Sequence, residues 1–215
     1  MSMEHAEGKV VVLGVTGASG AILAQAALRK LEADARVARV HLVLTETGAR
    51  LVAHELGIVA ADAKDMPSLL AGARATKIDV LPNKDVGAAI ASGSYAVDAM
   101  LVIPCSMGAL SAIATGASTD LLSRAADVCL KESRRLVLCL RETPFSRIHL
   151  ENMLRAQQAG AVIMPVIPAF YDQPKTLDDV VAQFVNRALA QIGLPQPGAF
   201  RWEGNGKSKG TARGT

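Results

Sequence analysis

The chain has 215 residues, half of them hydrophobic but only 3% aromatic, with a formal net charge of +3. Such a length implies one domain with a sizeable core, and so small and dispersed a charge gives no argument for a nucleic-acid partner. No apolar run reaches membrane-spanning length and residues 1–8 lack a signal-peptide pattern, so a cytoplasmic protein without a membrane role is expected.

The run KVVVLGV at 9–15 reads as a fully buried strand. A Gly-rich turn follows at Thr16–Ala21, then a helix over Ile22–Glu32 with its apolar face inward. Gly14, Gly17 and Gly20 are spaced three apart, which is not the dinucleotide fingerprint G-x-G-x-x-G. The turn still presents backbone N–H groups at a helix N-terminus, a ready anion site. Ser19 there reads either as a plain capping residue or as a ligand contact. A second strand spans Val40–Leu44, with Thr45 at its carboxyl end, and Glu46–Leu56 reads as a helix. Glu55 lies near the end of that helix, where its charge opposes the dipole, so it reads as a solvated acid. Residues 57–84 are irregular, with a short helix at Met66–Ala73 and an edge strand near Ile78–Leu81. The small-polar loop Ala91–Ser94 is either a turn or a phosphate contact.

Ala99–Pro104 reads as a central strand, ending in the small-residue segment Cys105–Gly108. A helix over Ala109–Thr115 and another starting near Ser118 and Thr119 follow, with those two hydroxyls as caps ahead of Asp120. On the second helix Arg124 and Lys131 share one face. Leu136–Leu140 is a strand that stops at Arg141-Glu142-Thr143-Pro144. A charged pair at a strand's carboxyl end is where an open α/β sheet binds ligands. Arg147–Gln158 is a helix and Ala161–Met164 a strand. The proline-fixed loop Pro165–Tyr171 carries Phe170 and Tyr171, and Thr176 caps a last helix bearing Arg187. Cys105, Cys129 and Cys139 have no metal-type spacing and read as buried, small hydrophobes. The pattern is α/β: a doubly wound, mostly parallel sheet with helices on both faces, a Rossmann- or flavodoxin-like three-layer sandwich. One domain spans 9–194, between an N-terminal tail at 1–8 and a tail at 195–215 whose Gly/Lys-rich end reads as disordered. On the residues alone, Arg141–Glu142 fits a structural ion pair as well as a site, Lys131 and Arg187 fit surface cations, and Tyr171 fits a core or interface aromatic. His41, His54 and His149 are scattered and favour no catalytic reading.

Six segments narrow these alternatives: GVTGASGA at 14–21, SGSY at 92–95, PCSM at 104–107, RAADVCLKE at 124–132, LRETPFSRIHLENM at 140–153 and PAFYDQP at 168–174. Together they resemble the flavin prenyltransferase (UbiX) family, over about Lys9 to Trp202. The resemblance implies an enzyme that binds reduced FMN and joins to it a dimethylallyl group from dimethylallyl monophosphate, at flavin N5 and then C6. No metal is implied. The product, prenylated FMN, would pass to a UbiD-type decarboxylase, and the chain would form a homododecamer with sites at subunit junctions.

By the same resemblance, Gly17, Ala18, Ser19, Thr45, Ser106, Met107, Gly108, Ala109, Arg124 and Arg141 are flavin-binding positions. Lys131, Arg141, Tyr171 and Arg187 are substrate-binding positions. Ser19, Glu55, Lys131 and Glu142 carry the catalytic roles, with Glu55 handling a proton near N5; Trp202 also matches. Ala109 lacks a hydroxyl that several members carry, and Ile22-Leu23 stands where relatives often have tyrosine. The chemistry suits the residues. Departing phosphate needs fixed positive charge, which Lys131, Arg141 and Arg187 supply. Loss of the C6 proton needs a base, either Glu142 or the released phosphate relayed through Glu142 and Ser19. Other readings are a flavin-dependent cysteine decarboxylase and a non-catalytic FMN-binding subunit. The first would call for a His after the flavin loop and a P-x-M-N-x-x-M-W segment, neither of which this sequence has.

Overall fold

The structure, a computed structural model, describes residues 8–58, 65–72 and 75–200. Residues 1–7 of the N-terminal tail, Ala73, Trp202 and the Gly/Lys-rich end lie outside the described residues. Strands β1 (Lys9–Val15), β2 (Val37–Leu44), β3 (Ile78–Pro82), β4 (Ala99–Cys105), β5 (Arg135–Leu140) and β6 (Val162–Ile163) form one sheet. Its order is β3-β2-β1-β4-β5-β6, with every neighbouring pair parallel. The chain builds outward from β1 in one direction, then returns to lay β4 on the other side of β1. That reversal is the topological switch point, where doubly wound sheets open a crevice beyond the strand ends.

Helices α1 (Ala21–Ala33), α2 (Glu46–Leu56), α3 (Met66–Ala71), α4 (Met107–Thr115), α5 (Leu121–Lys131), α6 (Arg147–Gln158) and α7 (Leu177–Gln191) connect and cover the strands. Alternation along each strand sorts side chains onto two faces. Val11, Leu13, Val15, Leu101 and Val137 pack with Leu28 of α1 and Val185 and Leu189 of α7. Val12, Met100, Val102 and Leu138 pack with Leu110 of α4 and Leu122 and Cys129 of α5. Fully buried Ala24 and Ala27 bring α1 close to the sheet, as an aromatic-poor core requires. Among the described residues no helix is long and apolar enough to cross a membrane.

Several boundaries differ from the sequence expectation. Helix α4 starts at Met107 rather than Ala109, because the Ser106 hydroxyl accepts from the Ala109 amide (3.3 Å) and caps it. Helix α5 is capped by Asp120, not by Ser118 or Thr119. Its carboxylate accepts from the Ser123 amide (2.8 Å), and the Ser123 hydroxyl accepts from the Asp120 amide (3.3 Å). Strand β2 starts at Val37, extended by pairing with β1, and β6 is an edge strand of only two residues.

Candidate active site at the switch point

A cleft of about 250 Å³ lies beyond the carboxyl ends of β1, β2 and β4, lined by Thr16, Thr45, Thr47, Ser106, Gly108, Ala109 and Asp120. Three helices begin at it: α2 capped by Thr45, α4 capped by Ser106 and α5 capped by Asp120. The Thr45 hydroxyl accepts from the Gly48 amide (3.0 Å) and lies 3.2 Å from the Thr47 hydroxyl. These caps use the third amide of α2 and of α4. The amides of Glu46, Thr47, Met107 and Gly108 have no hydrogen-bond partner among the described residues. Helix α5 differs. Its first amides go to Asn83 and Asp120, so it offers the cleft no free donor. No lysine or arginine lines the cleft among the described residues. Free amides at two helix N-termini, with hydroxyls beside them, suit a phosphate group. Gly17 borders this space tightly: a Cβ there would sit 2.5 Å from Thr47 Oγ1.

The N-terminus of α1, expected to be a vacant anion site, is filled from within the chain. Glu55 reaches over from the end of α2. Its Oε2 accepts from the amides of Gly20 (2.9 Å) and Ala21 (2.7 Å). The carboxylate thus opposes its own helix dipole but sits at the positive end of another, which accounts for the failure of the solvated-acid reading. Partial burial pushes its pKa up. The Gly20 and Ala21 amides, the Ser19 hydroxyl and the charge of Arg141 push it down and prevail, so Glu55 is held as a carboxylate below the ordinary glutamate range. Ser19 is not the cap of α1; Gly20 holds that position, with no side-chain cap bond. Arg141, half-buried, donates from Nε to the Ser19 carbonyl (3.2 Å), and its amide donates to the Cys105 carbonyl (3.1 Å). Ser19, Glu55 and Arg141 therefore meet at one end of the sheet, beside the cleft.

The remaining predicted residues lie elsewhere in the chain. Glu142 is exposed and accepts from the Thr143 amide (2.9 Å); it forms no ion pair with Arg141. Lys131 ends α5 at the opposite end of the strands, pairing with Glu132 at 2.5 Å. The six residues of β5 separate it from Arg141 by about 20 Å at the rise of an extended strand. Arg124 pairs with Asp127 (2.7 Å) and donates to the Ala91 carbonyl (3.2 Å). Both cations thus flank the Ser92–Ser94 loop, where a Cβ on Gly93 would collide with the Glu132 carboxylate and come within 2.7 Å of Lys131 Nζ. Arg187 donates to the Tyr171 hydroxyl (3.4 Å), and the Tyr171 ring packs near Phe200 (centroids 5.0 Å apart). This third group borders a cavity of about 310 Å³.

The histidines and cysteines stand outside these groups. His41 is buried against the Tyr95 hydroxyl (2.8 Å) and His149 completes the cap of α6. Burial raises the thiol pKa of Cys105 to about 12 and of Cys129 to about 11, so neither supplies a thiolate nucleophile. Sequence reading missed Thr16 and Thr47; a hydroxyl within three residues of a strand's carboxyl end is the signal that would have found them.

A parallel sheet opened at its switch point over a cleft suited to a phosphate is an architecture of nucleotide-binding α/β proteins, and within it the Flavoprotein family matches residues 1–189. A probable UbiX-like flavin prenyltransferase of Bacillus subtilis is 42% identical over 206 residues, covering 95% of each chain. Flavin prenyltransferase UbiX of Halalkalibacterium halodurans is 45% identical over 194 residues, 90% of this chain and 93% of its own. The chain belongs to the UbiX-like flavin prenyltransferase family. Among solved structures, AnUbiX (PadA1) in complex with FMN and dimethylallyl pyrophosphate superposes with a TM-score of 0.80 at 39% identity, covering 92% of this chain and 98% of that one. A dodecameric FMN-dependent Ubix-like decarboxylase from Escherichia coli O157:H7 gives 0.79 at 42% identity, covering 91% and 100%. An FMN-dependent cysteine decarboxylase, TvaF, is only 14% identical and shares the fold alone.

Proposed function

We propose that this prenyltransferase joins a dimethylallyl group from dimethylallyl monophosphate to N5 and C6 of reduced FMN, and that a UbiD-type decarboxylase receives the prenylated FMN. The observation that carries this reading is the meeting of Ser19, Glu55 and Arg141 beside a cleft fitted to a phosphate. The reduced flavin supplies two nucleophilic positions, N5 and C6. The free amides of Glu46, Thr47, Met107 and Gly108, with the hydroxyls of Thr45, Thr47 and Ser106, hold the FMN phosphate. Gly17 and Ala109 give close approach, and Ala18 and Ser19 border the ring. Glu55, already a carboxylate, accepts a proton near N5 through Ser19. Glu142 removes the proton at C6.

Arg141 stands between flavin and substrate, and Arg187 and Tyr171 bind the phosphate of the dimethylallyl substrate. Lys131, about 20 Å from Arg141 in the same chain at the rise of an extended strand, serves the site of a neighbouring copy, while Arg124, about two turns earlier on α5, is a flavin-binding position. Two facts support that arrangement: the dodecameric state of the Escherichia coli relative, and the outward apolar side chains of Ile148, Leu154, Ile167 and Phe170. Anaerobic incubation with reduced FMN and dimethylallyl monophosphate tests the proposal. The extracted flavin should gain the mass of one prenyl unit; FMN binding without that gain would overturn it.

A further inference from the structure

Thr16 is 1% exposed, one of the few polar side chains so deeply buried. The ladder between β1 and β4 ends at Gly14 opposite Val102. Past that rung the Thr16 amide donates to the Pro104 carbonyl (3.2 Å). The Thr16 carbonyl turns away to accept from Ala18 (2.8 Å) and cannot make the next rung. The side chain makes it instead. Thr16 Oγ1 donates to the Pro104 carbonyl (2.9 Å) and accepts from the Ser106 amide (2.7 Å). The two strands therefore part, with one hydroxyl spanning the opening crevice. Ser106 is the cap of α4, so the atom that pins its amide also sets where the free amides of Met107 and Gly108 point.

We propose that Thr16 is a positioning residue for the flavin phosphate: its hydroxyl fixes the α4 N-terminus relative to the turn after β1 and so holds the cleft at phosphate-binding width. This rests on placing the FMN phosphate in that cleft. The role needs one atom that both donates and accepts. Serine keeps both functions; valine matches the shape and has neither, leaving the Ser106 amide without its acceptor.

The test compares oxidised FMN with riboflavin, which differ only in the phosphate, by titrating flavin fluorescence on the wild type, Thr16→Ser, Thr16→Val and Thr16→Ala. Wild type and Thr16→Ser should prefer FMN. Both hydroxyl-free variants should lose about tenfold of that preference while riboflavin affinity holds, the scale of one misplaced hydrogen bond to a charged group. A preference unchanged in those variants overturns the proposal, as does an equal loss for both flavins, which would mark a merely structural role. A wild type that does not prefer FMN overturns the placing of the phosphate itself. Hydrogen exchange on the wild type gives a check independent of variant folding: the Ser106 amide should be protected in the flavin-free protein, and rapid exchange there would overturn the proposal.

Discussion

Removing the Glu55 carboxylate tests the link between α2 and α1 directly. Its Oε2 accepts two amide bonds, at 2.9 and 2.7 Å. Charged hydrogen bonds of this kind contribute about 1.5–3 kcal/mol each when buried. Glu55 is exposed, and screening reduces the pair to roughly 1–2 kcal/mol. For a chain of this size that corresponds to a fall in Tm of roughly 2–8 °C for Glu55→Ala, measured by calorimetry at fixed protein concentration. The pH dependence sharpens the test. The folded pKa of Glu55 is depressed, so its contribution is fully present above the unfolded value of about 4.3 and fades as pH falls through the folded value. Glu55→Gln keeps an acceptor but no charge, so that variant should lose part of the stability and this component of the acid slope. Equal Tm values and equal acid slopes in wild type and both variants would refute the reasoning.

Lys131→Ala and Arg141→Ala should each be nearly inactive. An oligomer reassembled from an equal mixture should regain about a quarter of the wild-type rate, the random share of junctions that pair an intact Lys131 with an intact Arg141. Rates no higher than the single variants would refute the placing of Lys131 in a neighbouring copy's site. Gly17→Ala puts a Cβ 2.7 Å from Thr47 Cβ and 2.5 Å from its hydroxyl. It should cost about 1–3 kcal/mol in denaturant unfolding, with Thr47→Ala recovering part by removing the oxygen. Glu142→Gln should retain FMN affinity while turnover falls about 10²–10⁴-fold; unchanged rates would remove Glu142 from proton transfer.

Much of the fold was legible because strand and helix period are local properties. Runs such as KVVVLGV and AMLVIP have few structural alternatives in a chain this poor in aromatics. Strand order was not legible, since pairing β4 with β1 rather than with β3 depends on contacts some 90 residues apart. The site was harder for the same reason. Glu55 looked solvated because only its own helix is visible in sequence, whereas the partners that hold it belong to α1. Met107 and Gly108 looked like a loop because Ser106 gives no local sign that its hydroxyl will start a helix. Lys131 and Arg141 are ten residues apart in sequence. An intervening strand turns that nearness into opposite ends of the sheet.

Gly93 constrains what evolution or a mutant library can do with the patch around Lys131. A Cβ there would meet the Glu132 carboxylate and the Lys131 ammonium, both at the ends of long, partly exposed side chains that must swing aside to admit it. Arg134 fastens the same stretch by donating to the carbonyls of Gly93 (2.6 Å) and Tyr95 (3.0 Å), contacts indifferent to side-chain identity. A pool of sequences randomised over 92–95 should therefore still fold with a small side chain at 93, and lose activity there only through the displacement of Lys131. Gly93 thus leaves open the space in which Lys131 meets Glu132, and the loop's own shape rests on Arg134.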